Sequence, residues 1–388
     1  MLPSKVRIAF IAGTRPNFMK VAPLLRELPN WPQFTGDLIH TGQHSSPEMS
    51  DSFFEDLEIP EPDVNLGVSG GTHSQQTAEV MLRLEPVLEQ RQPDLVLVVG
   101  DVNSSLAATL VAAKMHIPVA HVEAGLRSFD RRMPEEINRI VTDAVSDYLF
   151  TSEPSGQENL LAEGCPASRI FFVGNVMIDT LLRYREKASR SQVLERIGVR
   201  PRHYAAVTLH RPSNVDEPAQ LRALLGVLEK LSERLPVVFP VHPRTRNRLP
   251  AVLPGAPALI LTDPMRYLDF IRLIGGARLV LTDSGGVQEE TTILGVPCLT
   301  LRENTERPVT IEQGTNRLAG TDPEQILDAA FSALEGGRPQ VRPPELWDGM
   351  ASRRIFHVLA NIFSGSDRAR PRGQLTHSDR SGITEPSE

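Results

Sequence analysis

The sequence predicts an α/β protein built from two doubly wound, Rossmann-like domains that face a cleft. Short runs of Val, Ile and Leu, such as IAFIA at 8–12 and LVLVV at 95–99, have the length of buried strands. Amphipathic stretches of helical length lie between such runs, the pattern of a parallel sheet covered on both faces by crossover helices. The alternation then restarts in the second half of the 388-residue chain, a length that fits two or three domains.

Taken in order, the first half offers strands at 6–12, 38–41, 95–99, 119–122, 148–151 and 170–173. Helical patterns at 18–27, 73–90, 104–115, 134–145 and 155–163 separate them. The second half offers strands at 205–209, 237–241, 259–261, 279–282 and 298–301, with helices at 218–234, 267–274, 286–294 and 323–334. The charged stretch 183–202 stands between the two sets, giving a first domain at 1–173 and a second at 174–349. Residues 365–388 contain no aromatic side chain and only Leu375 and Ile383 as large aliphatics. Such a segment cannot bury enough surface to offset its ordering entropy, and disorder is expected there.

Lys+Arg 41 against Asp+Glu 48 leaves a net charge of −7 and no basic run, so the chain lacks the surface that neutralises nucleic-acid phosphates. No window approaches the roughly 18 apolar residues of a membrane span. Lys5 and Arg7 precede the first apolar run, but Gly13 and Arg15 end it too early for a signal peptide. Cys165 and Cys298 make neither a disulfide framework nor a CxxC motif. His121 and Glu123 form an i,i+2 pair, yet no HExxH or Cys/His cluster accompanies them. The expectation is a soluble, cytoplasmic protein with no metal and no nucleic-acid or membrane partner.

Ligands of open α/β sheets gather at the carboxyl ends of strands, and polar clusters occupy that position here. GTRPNFMK at 13–20 joins the first strand to the first helix, and Arg15 and Lys20 either meet a phosphate or are solvated cations. TDSGGVQEE at 282–290 combines strand, small-residue turn and helix, where Ser284, Gly285 and Gly286 let a phosphate approach backbone N–H groups. Asp101 and Glu123 end strands, and Glu135 and Glu136 follow in PEEINR. A carboxylate ending a buried strand is costly unless it is paired or used in catalysis. The paired alternatives are Arg127 and Arg139, and Glu136 with Arg139 reads as an i,i+3 surface pair. His210-Arg211 and His242, in PVHPR, end two later strands as structural or catalytic groups. In RENTERPVT, Arg302 and Arg307 can reach a pyrophosphate, or Glu306 can hold Arg307.

Together and in this order, GTRPNFMKVAPL, TGQH, GDVNSSLA, HVEAGLRSFDRRMPEEINR, VGNVMIDTL, TLHRPSNVD, DSGGVQEE and TERP resemble the non-hydrolysing UDP-N-acetylglucosamine 2-epimerases. The motifs span residues 13–308, most of the chain. The resemblance implies a glycosyltransferase-B-type architecture whose last helix, here about 350–364, crosses back onto the first domain. It implies inversion at C2 of a UDP-linked N-acetylhexosamine, without a cofactor, through loss and re-addition of UDP. It also implies a homodimer.

Carried over by motif, Asp101, Glu123, Glu135 and His210 form the catalytic set. Arg15, Lys20, Ser284, Gly285, Gly286 and Arg307 hold the diphosphate, Glu290 the ribose and Phe270 the uracil region. Gln43, His44 and His242 match a site where some members bind an activating second substrate molecule, although the flanking QHSSPEMSDSFF and SGGTHSQQT depart from that pattern. Ser213 stands where the family usually has Glu, and Asn17 where Glu commonly follows GTRP. The competing readings are an inverting glycosyltransferase of the same architecture, an epimerase of a modified UDP-N-acetylhexosamine, and a nucleotide-sugar-binding regulator without catalysis.

Overall fold

A computed structural model describes residues 5–42, 54–249, 258–337 and 342–364. Its first sheet contains β1 (Val6–Ala12), β2 (Phe34–His40), β3 (Val64–Asn65), β4 (Leu95–Val99), β5 (Val119–Ala124), β6 (Tyr148–Thr151) and β7 (Ile170–Phe172). These seven strands lie in the order β3-β2-β1-β4-β5-β6-β7. The second contains β8 (Ala205–Thr208), β9 (Val237–Pro240), β10 (Leu259–Thr262), β11 (Leu279–Thr282), β12 (Cys298–Thr300) and β13 (Asn316–Leu318). Its order is β10-β9-β8-β11-β12-β13. The pairings are parallel in both sheets. Strand order reverses between β1 and β4 and again between β8 and β11, and such switch points open crevices above the strand ends.

Helices α1 (Arg15–Glu27), α2 (His73–Arg91), α3 (Asn103–Lys114), α4 (Pro134–Val145) and α5 (Pro154–Ala162) link the first set of strands. Pro at the first position starts α4 and α5, where a missing N–H costs nothing. All five residues of β4 are buried, as a strand covered by helices on both sides requires. Among the described residues, no helix is long and apolar enough to cross a membrane.

The charged stretch 183–202 is not a bare connection. Helices α6 (Val176–Ser189) and α7 (Val193–Ile197) occupy most of it. Ile178, Leu181, Tyr184 and Ala188 are buried at helical spacing in α6, while its cations Arg183, Arg185 and Lys187 are exposed. One side of α6 packs on α1, and Thr180 Oγ1 donates to Met19 O at 2.7 Å. The other side meets α11 (Tyr267–Gly276) and α12 (Gly285–Leu294), so α6 ties the two sheets' layers together. Later connections are α8 (Pro212–Val215), α9 (Pro218–Ser232), α10 (Pro243–Arg246), α13 (Val309–Glu312) and α14 (Pro323–Glu335).

The last described helix, α15 (Ala351–Ser364), returns to the first sheet's layer and packs on α1 and α6. The Asp179 carboxylate of α6 accepts from the backbone N–H of Ala351 and Ser352 at 3.1 and 2.8 Å, capping α15 from outside. Phe356 is fully buried, its ring stacked on Trp31 at 6.1 Å and tilted against Phe34 at 5.7 Å. Phe356→Ala is expected to lower unfolding free energy by about 3–5 kcal/mol, measured by urea denaturation. A loss below about 1 kcal/mol would mean that the helix contributes little to holding this face. The expected tail, 365–388, lies outside the described residues.

Candidate active site

The carboxyl ends of the two sheets meet. Glu123 sits in the last turn of β5 with φ +72°, a conformation that costs a non-glycine residue about 1–3 kcal/mol. A register shift between Val122 and Ala124 accompanies it and breaks the alternation of the strand. His121 and Glu123 therefore do not act as an i,i+2 pair. His121 bonds within its own sheet's layer, whereas the Glu123 carboxylate reaches Lys20 Nζ at 2.5 Å and Arg307 NH2 at 2.8 Å. Lys20 comes from α1 and Arg307 from the loop after β12, so Glu123 binds both halves of the chain. All three side chains are at least nine-tenths buried.

Arg307 holds more than Glu123. Its Nε donates to Glu289 Oε1 at 2.7 Å and its NH1 to Glu306 Oε1 at 2.6 Å. Glu306 also receives Arg302 at 2.8 Å and Arg211 at 3.3 Å. Burial alone would raise the Glu306 carboxyl, but these guanidiniums hold it well below the usual carboxylate range. A Cβ on Gly285 would lie 2.4 Å from Arg307 NH1, so only glycine lets this guanidinium rest against the first turn of α12. Ser284 precedes that turn, with Gly285 and Gly286 in it. Arg307 and the open N–H groups of α12 thus converge on one point, the combination that suits a diphosphate.

Asp101 follows β4, and Arg139 of α4 bonds it and Glu136 together. Burial pushes the Asp101 carboxyl up, yet Arg139 and Lys20 outweigh it and hold it below the usual range. Glu136 and Arg139 do pair at i,i+3, but not at the surface: they are 1% and 2% exposed. The chain at 126–133 folds over them, and Glu136 accepts from the backbone N–H of Ser128 and Phe129, both at 2.9 Å. Glu135, the neighbouring acid, is half-buried in the first turn of α4. Arg127 pairs instead with Asp143 and Glu163, both at 2.7 Å.

His210 ends β8 and places Nδ1 2.9 Å from Asp283 Oδ1. Asp283, fully buried, also accepts the backbone N–H of His210 and Arg211. Burial raises its carboxyl, but His210 and those N–H groups carry it down to about 2. This pairing holds Nδ1 as a donor and leaves Nε2 to meet a substrate oxygen. Asp283 belongs to the TDSGG motif, yet its partnership with His210 joins strand ends 73 residues apart. The His242 ring lies 5.8 Å from that of His210, whereas Gln43 and His44 lie outside the described residues.

Arg15 donates to Met265 O at 3.2 Å, beside α11, which carries Phe270 half-buried. Glu290 is buried and accepts from the Tyr267 hydroxyl at 3.3 Å. Burial pushes its carboxyl up to about 8. A carboxyl raised on folding stabilises the fold fully below its unfolded value near 4.5 and loses that contribution as pH rises through about 8. Glu290→Gln is therefore expected to flatten the fall in melting temperature between about pH 5 and 8, as thermal scans across that range read it. An unchanged pH slope would mean that Glu290 ionises freely.

A family model described as UDP-N-acetylglucosamine 2-epimerase matches residues 26–360. A relative from Methanocaldococcus jannaschii named UDP-N-acetylglucosamine 2-epimerase is 41% identical over 365 residues, 91% of this chain and 99% of that protein. One from Pseudomonas aeruginosa, named UDP-2,3-diacetamido-2,3-dideoxy-D-glucuronate 2-epimerase, is 40% identical over 362 residues, 92% of this chain and 100% of that protein. The crystal structure of the Methanocaldococcus jannaschii UDP-GlcNAc 2-epimerase, in complex with UDP-GlcNAc and UDP, superimposes with a TM-score of 0.86 at 41% identity. It covers 92% of this chain and 100% of that one. The chain belongs to the UDP-N-acetylglucosamine 2-epimerase family.

Proposed function

We propose that the protein interconverts UDP-N-acetylglucosamine and UDP-N-acetylmannosamine by eliminating UDP and adding it back. The observation that carries this reading is Glu123. It is a buried acid on strained backbone, clasped by Lys20 and Arg307, and Arg307 rests on the N-terminal turn of α12. A proton acceptor and a diphosphate site thereby share one buried cluster. In the elimination, the C1–O bond breaks and UDP leaves with its electron pair. A carboxylate takes the C2 proton, and C1=C2 forms, giving 2-acetamidoglucal. In the return step, C2 is protonated from the opposite face and a UDP oxygen re-forms the bond to C1.

Asp101, Glu123 and Glu135 supply the carboxylates for these transfers, and His210, oriented by Asp283, assists the departing diphosphate. Lys20, Arg307, Arg15 and the Ser284–Gly285–Gly286 turn receive the charge that grows on UDP as C1–O breaks. Glu290 faces the ribose and Phe270 the uracil. On this reading residues 1–173 with 350–364 carry the proton chemistry, and 174–349 hold UDP.

A second reading concerns the sugar alone. The Pseudomonas aeruginosa relative, 40% identical, is named for a 2,3-diacetamido uronate substrate. Incubation of each UDP-sugar with and without an added acceptor separates the possibilities. Formation of UDP-N-acetylmannosamine supports the proposal. Turnover of the diacetamido uronate alone transfers the reading to that sugar, and turnover only with an added acceptor replaces it by glycosyl transfer.

A further inference from the structure

Behind the two strand-end acids lies a second polar group, buried and absent from the mechanism above. His121 of β5 has no exposed surface. Its Nδ1 is 2.6 Å from Asp143 Oδ1 and its Nε2 is 3.0 Å from the carbonyl oxygen of Gly100. Both partners are acceptors, and the ring bridges them through its two nitrogens. Asp143, 1% exposed, uses its other oxygen to accept from Gly125 N at 3.0 Å and Arg127 NH1 at 2.7 Å. Arg127 continues to Glu163. Asp143 is thereby answered by Arg127, and Arg127 also by Glu163, the pairing that limits the cost of burying charge.

What this chain of groups grips is specific. Gly100 immediately precedes Asp101, and Gly125 stands two residues beyond Glu123. Both glycines have left-handed backbone, φ +63° and +79°. A Cβ on Gly125 would lie 2.1 Å from the carbonyl oxygen of Gly156, so the turn is also sterically confined. His121 and Asp143 thus cross-link the turn that presents Asp101 to the turn that presents Glu123, without touching either carboxylate.

We infer that the His121–Asp143 pair is a positioning device that sets the spacing of the Asp101 and Glu123 carboxylates across the sugar. The inference rests on the epimerase reading above. Displacing a reacting group by about 1 Å can cost on the order of 10²-fold in rate. His121→Gln removes the double link, and Asp143→Asn keeps the shape while removing the counter-charge. Each variant is expected to lower kcat about 10- to 100-fold while KM and the affinity for UDP change less than about twofold.

Two outcomes overturn the inference. One is an unchanged kcat in folded variants. The other is a parallel loss of kcat and UDP affinity that follows the loss of melting temperature, since a merely structural pair would give that. Asp143→Asn, which keeps the shape, carries the test if His121→Gln fails to fold. Failure of the reaction itself is distinguishable, because wild-type protein would then show no C2 inversion.

Discussion

Glu123→Gln is expected to lower epimerase turnover by on the order of 10²-fold or more, the scale of a lost proton-transfer group. The same change should leave UDP binding intact or tighten it. Glu123 neutralises Lys20 and Arg307 at 2.5 and 2.8 Å, so an uncharged amide releases both cations toward an arriving diphosphate. Initial rates and calorimetric UDP titration of the same variant read the two effects separately. Asp101→Asn is expected to show the same split, with Arg139 then left to Glu136. Near-wild-type turnover in both variants would remove these acids from the chemistry. A fall in UDP affinity equal to the fall in rate would make Glu123 a scaffold for Arg307 instead.

Arg307→Ala should give the largest combined loss of stability and affinity. The guanidinium answers Glu123, Glu289 and Glu306 in a buried site. Removing one partner of a buried charge set leaves the others uncompensated, at a cost of about 3–5 kcal/mol. Its place against the α12 turn should add a loss of UDP affinity of roughly 10- to 100-fold, the worth of one or two charge-assisted hydrogen bonds. Arg307→Lys restores a charge but not the planar fork that reaches three carboxylates, so it should recover stability in part and affinity hardly at all. Denaturation curves and UDP titration of the two variants test this. An unchanged UDP affinity in Arg307→Ala would assign the residue to the fold alone.

Much of the architecture was legible because parallel sheets write themselves as apolar runs. The segments 6–12, 95–99, 148–151 and 279–282 are strands with those bounds in the structure. Short edge strands β3 and β13 carry no such run, and the first half of β2, from Phe34, was hidden because Gly36 and Asp37 interrupt the apolar pattern there. Helix α6 was hidden by its own exposed cations. Periodicity shows that Ile178, Leu181 and Tyr184 share a face only once the charges around them are set aside.

The site was legible as a set of strand ends but not as a set of partners. Glu123 and Arg307 are 184 residues apart, and nothing local says that they touch. The His210–Asp283 pair, the Glu289–Arg307 bond and the His121–Asp143 link share that property: each joins side chains that only the sheet order brings together. The Glu136–Arg139 pair teaches the converse. Helical spacing foretells the contact, while its burial depends on the chain at 126–133, which no spacing rule describes.

The central claim is that this cluster moves a proton at C2 of a UDP-N-acetylhexosamine. The most direct test is to incubate the protein with UDP-N-acetylglucosamine in D₂O and follow C2 by proton NMR. UDP-N-acetylmannosamine with deuterium at C2 is expected, with deuterium entering the recovered starting sugar as the reaction reverses. A new sugar that keeps its original C2 proton would contradict proton exchange through the Asp101, Glu123 and Glu135 carboxylates, and neither exchange nor a new sugar would contradict the substrate itself.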